Sequence, residues 1–317
     1  MNRILIVALM ALVISPAYAA SPYSSIFVFG DSLSDPGNVF VLTGENSVRP
    51  FSADNIPDAP YARGGHHFSN GATWIEQASA DLKLKGGTGP ALRTTAFTNY
   101  AFGGARARMT GVLDLSSQVG LFLSAIPGNV PSDALYSVYV GGNDARDATV
   151  TFFEVFANTG DPVAAQLAAE AVVAEAVQSI ADNIMLLAGR GASHFLVPNV
   201  ADIGKTPAVQ ALGAQAAAVA TGLATGFNAA LEATLTSLEA GFGIQVTRLN
   251  VFQLINDIIE DPSVAGLVNV TEPCITPLVQ KGAYCNQPDD YLFWDGIHPT
   301  RVAHTYLAGA AVDALSQ

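Results

Sequence analysis

Four short blocks of the chain carry residue types that together could do nucleophilic chemistry. Ser32 follows an apolar, β-prone run at 26–29 and the pair Gly30-Asp31, the outline of a buried strand ending in a sharp turn that presents one hydroxyl. A serine hydroxyl is unreactive by itself and needs an adjacent base, an orienting acid and donors for the oxyanion. Asp295 and His298 stand three positions apart, a spacing that on a tight loop or first helical turn lets a carboxylate reach the imidazole Nδ1–H and leave Nε2 free as a base. Gly103-Gly104 and Gly141-Gly142-Asn143 are glycine pairs at strand ends, where backbone N–H groups can be exposed without a side chain in the way, and the Asn143 amide adds a side-chain donor. Each block also has an ordinary reading. Ser32 and Asp295 are good N-cap residues, and Gly-Gly-Asn is a good turn. Ser34 competes with Ser32 as nucleophile, and the strand end favours Ser32.

The elements that must position these blocks follow from periodicity. Strand-like runs at 26–29, 97–101, 135–140, 194–198 and 244–250 alternate with helical patterns at about 115–126, 163–188 and 207–238. That alternation predicts a mainly parallel sheet of about five strands with helices on both faces, where ligands sit outside the carboxyl ends of the strands. A further helix is expected from Trp74 and a last one after Thr300. The uncharged stretch 211–227 has its apolar residues three or four apart, which predicts a core helix rather than a membrane span, with Gly213, Gly222 and Gly226 allowing close packing. Residues 36–67 read as a long irregular loop overhanging Ser32. His66 and His67 read as loop residues, His304 as packing within the last helix, and His194 has no assigned role.

Composition narrows the setting. With 14 basic against 27 acidic residues the net charge is −13, which argues against nucleic acid as a partner. Arg3, an 11-residue apolar run at 4–14 and Ala17-Tyr18-Ala19 have the form of a secretory signal peptide, 1–19, too short to span a bilayer. The remainder, 20–317, reads as a single domain. Cys274 and Cys285, the only cysteines, are expected to form a local disulfide in an exported protein.

The blocks at 30–35, 99–105, 141–144 and 295–299, in that order, resemble the GDSL lipase/esterase family, the SGNH hydrolases, and Phe68-Ser69-Asn70-Gly71 is similar to the family's pattern too. The resemblance implies a flavodoxin-like, three-layer α/β/α sandwich. It implies that Ser32 attacks an ester carbonyl, that His298 is base and then acid, and that Asp295 orients it. The Ser32 N–H, the Gly104 N–H and the Asn143 amide would hold the oxyanion, with Gly103 the fallback for Gly104. No cofactor or metal is implied. The expected partner is a small-molecule or lipid ester, and the protein is expected to be secreted or periplasmic without stable membrane insertion, its oligomeric state not legible.

Other readings use the same residues. The fold could serve a carbohydrate acetylesterase or a phospholipid acyltransferase. Asp31, Asn143, Asp295 and His298 could also bind divalent ions in a metal-dependent phosphoesterase, although only two or three ligands are assignable. A third reading is a secreted binding protein without turnover. Within the esterase reading, Phe152, Phe153 and Phe156 are expected either to wall the acyl site or to pack in the core.

Overall fold

The computed structural model describes residues 21–51, 66–84, 87, 89–111 and 113–317. Residues 1–19, read as a signal peptide, and most of the loop expected to overhang Ser32, 52–65, lie outside the described residues. In chain order the elements are β1 (Ile26–Gly30), α1 (Asn38–Thr43), α2 (Trp74–Asp81), α3 (Leu115–Ala125), β2 (Leu135–Tyr139), α4 (Gly142–Thr159), α5 (Pro162–Gly189), β3 (His194–Pro198), α6 (Pro207–Gln210), α7 (Ala214–Phe242), β4 (Gln245–Leu249), α8 (Val251–Glu260), β5 (Asn269–Pro273), β6 (Tyr291–Phe293) and α9 (Arg301–Leu315).

β1 to β4 form one parallel sheet in the order β1-β2-β3-β4. β1 and β2 are buried on both faces, which is why they read as near-continuous runs without alternation, whereas β4, at the edge, is buried only in part. Phe27, Phe29, Tyr136, Val138, Phe195 and Val246 point into a core shared with α3, α4, α5 and α7. Their neighbours Ile26, Val28, Leu135, Leu196 and Leu249 point the other way, against Trp74 and Ile75 of α2 and Leu307 and Val312 of α9. The result is a three-layer α/β/α sandwich. The stretch expected as a fifth strand, 97–101, pairs with β1 without becoming a regular strand. Val28 N–H donates to Thr98 O, Tyr100 N–H to Val28 O and Phe102 N–H to Gly30 O, while Ala101 N–H is diverted to the Asn99 side chain at 3.0 Å. Counting that segment at the edge, the order is the flavodoxin-like 2-1-3-4-5.

α5 has the length and mean hydropathy of a membrane span. Its stripe Ala169, Val173, Ala176, Ile180, Ile184 and Leu187 is nevertheless buried in the core, and Asp161 caps its start by accepting from Val163 and Ala164 N–H. The helix expected over 207–238 is interrupted: Gly213 adopts φ 98° and divides it into α6 and α7. Gly222 and Gly226, expected at close contacts, face open space. Cys274 and Cys285 form a disulfide beside Phe51, Ile275 and Trp294, a small cluster that carries the chain into β6.

Candidate active site

β1 ends at a glycine that its surroundings require, since a Cβ on Gly30 would lie 2.5 Å from Tyr139 O in β2. Gln118 of α3 clamps this glycine, accepting from Gly30 N–H and donating to Gly30 O, both at 2.8 Å. The chain then turns: Leu33 N–H donates to Asp31 Oδ1 at 3.0 Å and Ser34 N–H to Asp31 O at 3.1 Å. Ser34 is fully buried. Its hydroxyl accepts from Trp74 Nε1 at 3.1 Å and its carbonyl from Asn99 Nδ2 at 2.8 Å. Ser32 faces the other way. Its Oγ lies 2.8 Å from His298 Nε2, so the two competing hydroxyls have opposite surroundings.

His298 comes from the loop between β6 and α9. Its Nδ1 lies 2.7 Å from Asp295 Oδ2, while Asp295 Oδ1 accepts from Ile297 N–H at 2.9 Å and His298 N–H at 2.8 Å. One carboxylate thus fixes both the ring and the backbone that bears it. Trp294 N–H closes the loop on His298 O at 2.7 Å, and the Phe68 ring sits 5.3 Å from the imidazole. Asp295 and His298 are 1% and 2% exposed, so water does not compete for their contact.

Asn143, in the first turn of α4, lines the same cavity as Ser32 and His298. One N–H of its amide donates to Ala105 O at 2.9 Å, which leaves the second for the cavity. Gly103 N–H is spent on Asp35 Oδ2 at 2.8 Å. Gly104 holds φ 80°, a conformation glycine adopts without strain, and its N–H makes no hydrogen bond among the described residues, like that of Ser32. Gly104 does not line the cavity in front of Ser32, which is walled by Asn143, His298, Leu33, Val200, Ile203 and Ile297 among others and measures about 650 Å³ including its open mouth.

Two buried acids support the turn. Burial pushes the Asp31 carboxyl up to about 7, against the Leu33 N–H bond and the His298 ring, which both pull it down. Asp35 is likewise pushed up to about 6 by burial, although Gly37, Asn38, Val39 and Gly103 N–H groups all donate to it. His304 packs inside α9, accepting from Trp74 N–H at 3.2 Å; burial lowers it to about 3. His67 Nε2 lies 2.9 Å from Glu76 Oε2, and His66 stacks on Phe40.

Phe152, Phe153 and Phe156 do not line this cavity; Phe152 packs against the core and the other two rings lie against it. The wall residues Leu33, Val200, Ile203 and Ile297 and the clamp Gln118 were not singled out from the sequence. Gln118 had a visible signal, a polar residue on the apolar stripe Leu115, Val119, Phe122. The walls are aliphatic residues of loops, which no periodicity marks.

Comparisons with known proteins bear on this geometry. The family model described as GDSL-like Lipase/Acylhydrolase matches residues 26–311. A GDSL esterase/lipase of Arabidopsis thaliana is 27% identical over 328 aligned residues, covering 94% of this chain and 90% of the relative. The thermolabile hemolysin of Vibrio parahaemolyticus is 23% identical, covering 90% of this chain and 62% of its own length. Among solved structures, phospholipase A1 from Streptomyces albidoflavus aligns over 92% of this chain and 98% of that one with TM-score 0.47 and 17% identity. With the family model matching most of its length, and with Ser32 at the end of β1 in contact with His298 from the loop after β6, the chain belongs to the GDSL-like lipase/acylhydrolase family.

Proposed function

We propose that this carboxylic ester hydrolase works through a covalent acyl-enzyme on Ser32. The observation that carries the reading is the unbroken chain from Ser32 Oγ to His298 Nε2 at 2.8 Å and from His298 Nδ1 to Asp295 Oδ2 at 2.7 Å. Ser32 Oγ adds to the ester carbonyl as its proton passes to His298 Nε2. Asp295 holds the ring in the tautomer that can accept it and balances the imidazolium formed. The tetrahedral oxyanion is held by the Ser32 N–H and by the free N–H of Asn143, with the N-terminus of α4 adding its dipole; Gly104, whose N–H is unpaired among the described residues and is the third donor the family resemblance implies, stands outside the cavity lining. Collapse returns the proton from His298 to the departing alcohol. Water then enters, loses a proton to His298 and releases the acid, restoring Ser32.

No observation favours the metal-dependent reading. Both oxygens of Asp295 are engaged by His298 and backbone N–H groups. The Cys274–Cys285 disulfide supports action in an oxidising compartment outside the cytosol. The test is hydrolysis of chromogenic acyl esters by Ser32→Ala, with folding monitored by circular dichroism. A folded variant reduced by a factor on the order of 10⁴ or more is expected. A folded variant of unchanged activity would overturn the mechanism, and an absence of turnover in the unaltered protein with every ester would favour a binding role.

A further inference from the structure

The cavity in front of Ser32 does not end at its own walls. A second cavity lies behind Leu33 and Ile297, and the two share Leu33, Tyr139, Ala201, Thr206 and Ile297 as a common partition. The inner chamber lies between α8 and α9, with Leu254, Ile255 and Ile258 on one side and Ala303, Tyr306 and Leu307 on the other. Ser32, Asn143 and His298 line the outer cavity only, so the chamber adds no reacting group.

Its chemistry is that of hydrocarbon. Two of its polar wall groups are already satisfied. Asp202 accepts from Gly204 N–H, Thr221 Oγ1 and Asn256 Nδ2, and Thr206 Oγ1 donates to Ile203 O. Tyr139, 2% exposed, stands at the partition with a hydroxyl that has no hydrogen-bond partner among the described residues. The α8 helix carries a strongly one-sided sequence, and Leu254 and Ile255, half-buried, pack against the core beside α9 while also lining this space. Unfilled apolar space of this kind forfeits packing and takes apolar ligands rather than water.

We infer that the inner chamber between α8 and α9 receives the acyl chain of the substrate, making this enzyme selective for esters of straight medium-length fatty acids over acetyl esters. The inference rests on the Ser32 acyl-enzyme reading, and that reading also says which half of the ester goes inside. The acyl group stays bound to Ser32 while the alcohol must leave and water must enter. The inner chamber, lined mostly by aliphatic side chains, suits the part that stays, and the outer cavity, which carries Ser32, Asn143 and His298, suits the part that goes. Leu33 and Ile297, half-buried at the partition, form the passage between the two cavities.

The experiment compares kcat/KM for p-nitrophenyl esters from acetate to dodecanoate, and for acetate esters of alcohols of rising length, in the unaltered enzyme and in Ala303→Leu and Leu254→Phe. These variants fill the chamber from opposite walls, and Leu254, being half-buried, tolerates change better should Ala303→Leu fail to fold. In the unaltered enzyme kcat/KM should rise roughly three- to fourfold per acyl methylene until the chamber is full. Either folded variant should lose at least tenfold on the octanoyl ester while keeping acetyl ester turnover within about twofold. A folded Leu254→Phe whose acyl-length profile matches the unaltered enzyme would overturn the inference. So would a variant whose losses follow the alcohol series instead. Failure of the underlying reading looks different: no acyl ester of any length, acetyl included, would then require Ser32.

Discussion

At the residue scale the site is a set of side chains whose alternatives have been removed by their neighbours. Ser34 is held by Trp74 and Asn99, Gly103 N–H by Asp35, and Asp295 by three donors at once. If the Asn143 amide holds the oxyanion, Asn143→Ala should lower kcat by 10²–10³ with little change in KM, read in steady-state kinetics. Asp31 gives a stability prediction. Its folded carboxyl, raised to about 7 by burial, keeps a proton that the unfolded chain releases near 3.8. Between those values the folded state binds more protons, so stability falls as pH rises. Asp31→Asn keeps the Leu33 hydrogen bond and removes that dependence. Urea unfolding should show the variant gaining on the unaltered protein from nil below pH 4 to roughly 4 kcal/mol at pH 8. A gap independent of pH would show that Asp31 is not the group responsible.

At the element scale the catalytic blocks sit where strands stop, and helices hold those ends in place. Gln118 ties α3 to both backbone groups of Gly30 and to Leu113 O. Gln118→Ala should cost about 1–3 kcal/mol, since it strands the buried Gly30 N–H and leaves Gly30 O with only the Phe102 N–H, and should lower kcat by loosening the turn that carries Ser32. Chemical denaturation and kinetics on the same preparation check both. The sequence announced β1, β3, α5 and α9 plainly, because short β-prone runs and long apolar periodicity leave few alternatives. It concealed α4, which begins inside Gly141-Gly142 and buries only Asp144, Ala145, Ala148 and Thr149, so that turn signals outweigh a faint apolar face. The edge segment 97–101 reads as a strand by composition but turns on the Asn99 side chain, a local bond that no pattern displays. α8 is hidden in the sequence because its stripe follows β4 after one residue, Asn250, whose side chain caps it.

At the scale of the whole molecule, the four blocks come from both ends and the middle of the chain: the first three meet at one end of the main sheet, and the loop after β6, which pairs with β5 in a separate small sheet, brings the fourth to them. Their types and order were legible from the sequence. The contact between Ser32 and His298, 266 residues apart, is a product of packing alone. The C-terminal part of the site depends on a small satellite cluster in which Trp294, next to Asp295, stacks on Tyr284 beside the Cys274–Cys285 bridge. Replacing both cysteines by serine should cost about 3 kcal/mol for the 11-residue separation they close. Activity should fall at temperatures below the new unfolding midpoint, because the loop bearing Asp295 and His298 loses its support. Parallel thermal melts and activity measurements would show the two declines separating.

The central claim is that Ser32 is the nucleophile activated by His298. Incubation with an alkyl fluorophosphonate, followed by intact-mass measurement and peptide mapping, tests it directly. The account predicts one adduct per chain, on the peptide containing Ser32 and at that residue, loss of activity in step with labelling, no adduct in Ser32→Ala and slow labelling in His298→Ala. An adduct on Ser34, or full activity in enzyme carrying a complete adduct on Ser32, would contradict it.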